Sequence, residues 1–66
     1  MYTVKTFFSN PRLNKTESFG TIEEAKNELK SNAGADCEQH IYRGDILNRE
    51  NLLFFREMGK KRIVKM

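Results

Sequence analysis

Apolar and polar residues alternate along the first nine positions. Tyr2, Val4, Thr6 and Phe8 fall on one side of an extended chain, and Thr3, Lys5, Phe7 and Ser9 on the other. Most are β-branched or aromatic and suit a pleated surface, so Tyr2 to Ser9 is predicted as the first strand. Asn10 to Lys15 reads as a loop, because Asn-Pro starts turns and Pro11 has no N–H to give a ladder. Thr16 to Phe19 is short and extended. It can return on the first strand as a hairpin, although the loop is long enough to leave it unpaired.

The period then changes. Ile22, Ala25 and Leu29 recur at helical spacing and predict one amphipathic helix from Ile22 to about Asn32. Thr21 is placed to accept from the free N–H groups of the first turn. Glu24 is placed to reach back to the Thr21 N–H, which would complete a capping box. Glu23 and Glu24 near the start and Lys30 near the end suit the helix dipole. Gly34 can adopt the left-handed conformation that stops a helix.

Beyond the helix, Cys37, Gln39 and Ile41 alternate with Glu38, His40 and Tyr42, so Glu38 to Arg43 is predicted as a strand. Gly44-Asp45 is a tight-turn pair. The run Leu52-Leu53-Phe54-Phe55 is too short for its period to decide its structure. As a helix, it would be capped by Asn48, carry Glu50 in its first turn and end at Gly59. As a strand, Asn51 to Glu57 would lie inside a sheet, Met58 to Lys61 would turn, and Arg62 to Lys65 would close a hairpin. The strand is preferred, because a helix would scatter the four apolar residues over more than half its circumference. In this reading Leu53 and Phe55 share a face opposite Leu52 and Phe54.

The 66 residues form one domain, 1–66, of the α+β class. A mainly antiparallel sheet of three to five strands packs on one helix, in the order β(β)αβββ. A chain this short buries about 60% of its unfolded surface, so its core is small. Cys37 is the only cysteine, which excludes an internal disulfide. No apolar run approaches the ~20 residues of a membrane span, and the first residues lack the pattern of a signal peptide. The expected location is therefore the cytoplasm. Without a secretory route, Asn14-Lys15-Thr16 is a polar loop rather than a glycosylation site, and Arg43-Gly44-Asp45 a turn rather than an adhesion motif.

Catalytic chemistry finds little to work with. Cys37 and His40 are three residues apart, and on a strand they face opposite ways, which is poor geometry for a nucleophile and its base. They are too few for a structural zinc site. They are read as a half-buried thiol and a surface imidazole. No phosphate loop, catalytic residue, metal, cofactor or small-molecule substrate is expected, and the protein is expected not to be an enzyme. The strand–capped helix–meander order, with Thr21-Ile22-Glu23-Glu24-Ala25-Lys26 opening the helix, resembles in style many small domains of phages and mobile elements. No motif in it transfers a site.

Five Phe and two Tyr exceed what one short helix can cover. The sheet face away from the helix would then carry uncovered aromatic residues, unless the loop around Leu13 folds over it. Such a patch marks a protein interface. The expected function is a non-enzymatic binding module that contacts a protein partner or a second copy through Phe7, Tyr42, Leu53 and Phe55. The alternative is a small nucleic-acid-binding accessory protein using Arg56, Lys60, Lys61, Arg62 and Lys65, with a net charge of +3 behind it.

Overall fold

The computed structural model describes residues 1–66. Five strands form one antiparallel sheet in the spatial order β2-β1-β3-β4-β5, with a single helix between β2 and β3. The strands are β1 (Tyr2–Phe8), β2 (Lys15–Phe19), β3 (Cys37–Arg43), β4 (Leu52–Arg56) and β5 (Val64–Lys65), and the helix is α1 (Ile22–Ser31). The expected α+β architecture is the one observed.

β1 and β2 form the hairpin that the sequence left open, with Val4 across from Glu17. Asn10 caps a single 3-10 turn at Pro11–Leu13, and Asn14 accepts from the Phe8 N–H at 2.7 Å. The chain then crosses through α1 and returns as β3 on the other side of β1.

α1 begins where Thr21 accepts from the Glu24 N–H at 3.1 Å. The other half of the expected capping box differs. The Thr21 hydroxyl donates to the Glu24 carboxylate at 3.1 Å, and the carboxylate does not accept from the Thr21 backbone N–H. Asn32 closes the helix, and Gly34 follows at φ +81.

The core lies between α1 and the sheet. Val4, Ala25, Leu29 and Ile41 are each fully buried, with Tyr2, Phe19, Ile22, Phe54 and Ile63 packed around them. Register explains the set: Val4, Ile41 and Phe54 stand side by side across β1, β3 and β4. Lys26 on the helix holds its ammonium 4.2 Å from the centre of the Phe54 ring.

The next row on the same side is polar. Thr6, Gln39 and Arg56 are in register, and all are buried. Gln39 donates to the Thr6 hydroxyl at 3.1 Å. This row runs toward the junction of the helix-to-β3 loop and the β4–β5 loop. There the Gly34 N–H donates to the Lys60 carbonyl and the Gly59 N–H to the Ala35 carbonyl.

The ambiguous stretch resolves as a strand after one short turn. Asn48 does act as a cap, accepting from the Asn51 N–H at 3.0 Å, but for a 3-10 turn of Arg49–Asn51. β4 then pairs with β3. An irregularity between Ile41 and Tyr42 shifts the register and sets Leu52 across from Tyr42. Leu52 therefore departs from the expected Phe54 face, because a bulge resets the period of two. The hairpin around Gly59 forms, with Phe55 across from Val64, but β5 is shorter than the expected Arg62 to Lys65.

Candidate functional site

The sheet face turned away from α1 is built by register. Lys5, His40, Phe55 and Val64 make one row across four strands; Phe7 and Glu38 make the next. β3 supplies the centre of the face, because Glu38, His40 and Tyr42 occupy alternate positions on it.

These three side chains form a hydrogen-bonded chain. His40 Nε2 lies 2.6 Å from Glu38 Oε2, and His40 Nδ1 lies 3.2 Å from the Tyr42 hydroxyl. In the neutral ring this assigns Nε2–H as donor to the carboxylate, leaving Nδ1 to accept from the phenol. Burial, and secondarily the Glu38 carboxylate, raise the Tyr42 pKa above 10.0, so the phenol stays a neutral donor.

Aromatic rings surround the imidazole. Phe7 is 5.0 Å from it between centroids, tilted, Tyr42 is 6.1 Å away, and Phe55 is 6.2 Å away, edge-on. The Lys5 ammonium stands 5.5 Å from the centre of the Phe7 ring. Phe7, Tyr42 and Phe55 thus stand around His40, which the sequence reading gives only as a surface imidazole. The spacing Glu38-x-His40-x-Tyr42 was the available signal, since alternate residues of a strand share a face. Leu53 is half-buried on β4 beside the register shift, and lies outside the aromatic cluster.

The face is open at one end and closed at the other. Leu13 is 58% exposed and does not cover it. At the Tyr42 end, the Thr3 hydroxyl donates to the Gly44 carbonyl at 2.6 Å, and Thr3 and Tyr42 are buried. Tyr42 accordingly offers a hydroxyl to His40 more than a free ring to a partner. Phe7, His40 and Phe55 form the accessible part.

Cys37 sits on the opposite side of β3, fully buried rather than half-buried. It meets Arg56 instead of His40, with Arg56 Nη2 3.1 Å from its Sγ. Nowhere do three or more His, Cys, Asp or Glu side chains gather as metal ligands.

The basic candidates divide. Arg56 is 0% exposed and unable to touch a phosphate outside. Its Nη1 donates to the carbonyls of Lys60 at 2.8 Å, Glu57 at 3.1 Å and Ala35 at 3.4 Å, and Nη2 to that of Cys37 at 2.9 Å. The strand alternation that points Phe55 outward points Arg56 inward. Lys60, Lys61, Arg62 and Lys65 are exposed. A shallow cleft of about 220 Å³ is lined by Glu57, Lys60, Arg62 and Val64. No helix is long and apolar enough to cross a membrane. No protein-family model, curated protein or solved structure matches the chain.

Proposed function

We propose that this chain is a non-enzymatic binding module that contacts a protein, a second copy of itself included, through the sheet face away from α1. The observation that carries this reading is the cluster of Phe7, His40 and Phe55, packed on one another outside the core. Aromatic residues are enriched at interface centres and charged ones depleted. The exposed side of the helix is charged, with Glu23, Glu24 and Lys30, and suits solvent.

Area supports the same face. A standard interface takes about 800 Å² from each partner, against a total surface of 4476 Å² for this chain. A module of this size must commit most of one side. The reading as a binder also fits the separation of Cys37 from His40 and the neutral, buried phenol of Tyr42, which leave no activated nucleophile on the face.

Sedimentation equilibrium of the free protein, with pull-down from native host lysate before and after nuclease treatment, tests the proposal. Phe55→Asp and Phe7→Asp should each abolish self-association, or retention of a nuclease-resistant partner, while the far-ultraviolet spectrum stays native. A monomeric wild type whose two variants retain every partner would overturn it.

A further inference from the structure

The charge of this protein is not spread evenly. From Glu57 onward the chain carries Lys60, Lys61, Arg62 and Lys65 against the single acid Glu57, a net of +3. The whole chain is also +3, so residues 1–56 are neutral overall. The entire excess of positive charge sits on the β4–β5 loop and the short strand that follows. The one Lys or Arg ion pair of the molecule is Lys15–Glu17, so none of the four cations is paired.

The loop that presents them is anchored. Arg56 reaches beneath it and donates to the Glu57 and Lys60 carbonyls, while holding the Cys37 and Ala35 carbonyls of the facing segment. Gly59 turns at φ +75, and its N–H donates to Ala35. The Lys61 stem lies across Gly34. The Arg56 guanidinium has no carboxylate partner, so the interior adds positive potential below the surface cations. Fixed cations lose less entropy on binding than those of a loose tail.

We infer that this loop is a phosphate-contact surface for a nucleic-acid strand, adjoining the aromatic sheet face at Val64. Lys60 and Arg62 flank the cleft, whose only apolar lining is Val64. It offers charge and guanidinium donors suited to phosphate oxygens, and no apolar pocket to anchor an acidic peptide. Glu57 lines the same cleft, and its carboxylate offsets part of the attraction of Lys60 and Arg62 for phosphate.

The test is fluorescence anisotropy with labelled single-stranded and duplex oligonucleotides across about 50 to 300 mM KCl. Three phosphate contacts, from Lys60, Lys61 and Arg62, predict a slope of log K against log salt of about −2 for a single strand, and slightly steeper for a duplex. The triple variant Lys60→Ala, Lys61→Ala, Arg62→Ala should bind roughly tenfold or more weakly and reduce the slope to about zero. Its fold should survive, because the Lys60 group that Arg56 holds is a backbone carbonyl, and urea melting checks this. Phe7→Ser, two strands away from the hairpin, should leave the titration unchanged, which separates this site from the sheet-face contact. Absence of binding at the lowest salt, an unchanged slope in the triple variant, or equal affinity for polyglutamate would each overturn the assignment.

Discussion

Arg56 is buried with no carboxylate in reach, an arrangement that is costly unless its donors are met. Backbone carbonyls, the Cys37 sulfur and, at 3.4 Å, Gln39 Oε1 meet its two terminal nitrogens, while Nε has no partner. Nothing local to Leu53-Phe54-Phe55-Arg56-Glu57 announces this role; it exists because two loops distant in sequence close over the strand end. Replacing the arginine separates its two contributions. Arg56→Met keeps the stem and removes the donors, and should cost about 2 kcal/mol in urea unfolding. Arg56→Ala also opens a cavity and should cost about 4 kcal/mol. Equal losses for the two variants would mean that packing of the stem contributes nothing. Tyr42 makes a second residue-scale prediction. Its folded pKa lies above 10.0, so the phenolate is disfavoured in the fold and not in the unfolded chain. That contribution to stability is complete below about pH 10 and is lost as pH rises from there through the folded pKa. Urea melts at about pH 9 and about pH 11 should show a decline in the wild type that is smaller in Tyr42→Phe.

At the scale of elements, α1 was the most legible part of the chain. Cap, apolar stripe and terminator all sit within a few residues of one another, and all three agree. Thr21→Ala should therefore lower stability by ~1 kcal/mol, read as a shift in the urea midpoint. An unchanged midpoint would show that the Thr21–Glu24 contact contributes nothing net. β4 is the opposite case. The helix signal at Asn48 was real, since it caps a turn; the apolar run after it was equally real, since it pairs with β3. Propagating a helix would have taken Phe54 from its place beside Ile41, and the sheet partner decided the outcome. The register shift at Ile41/Tyr42, which moved Leu52 to the other face, is likewise a property of the strand pair and not of either strand.

At the scale of the molecule, one face of the sheet packs on α1 and the other carries the aromatic cluster, and substitution distinguishes them. The core is small, and a chain of this length has a stability of roughly 3 to 10 kcal/mol. Ile41→Ala, beneath α1, should cost about 3 kcal/mol and bring the protein near unfolding at physiological temperature. Phe55→Asp, on the adjacent strand but the other side, should cost about 1 kcal/mol or less and leave a cooperative melt. Thermal melts of the pair check the contrast, and similar losses would mean that the outer aromatic cluster is itself part of the core. The sequence by itself determined β1, α1 and β3 and which residues of β1 and β3 share a face, because period and capping are local and hydrophobic burial enforces them. It also located the charge excess, which is a matter of composition. Only the tertiary structure decided the strand order, the inward course of Arg56, the gathering of Phe7, His40 and Phe55, and the closure of the face at Tyr42. Each of those depends on which distant segments lie side by side, and that is settled by the total burial of the chain rather than by any residue's neighbours in sequence.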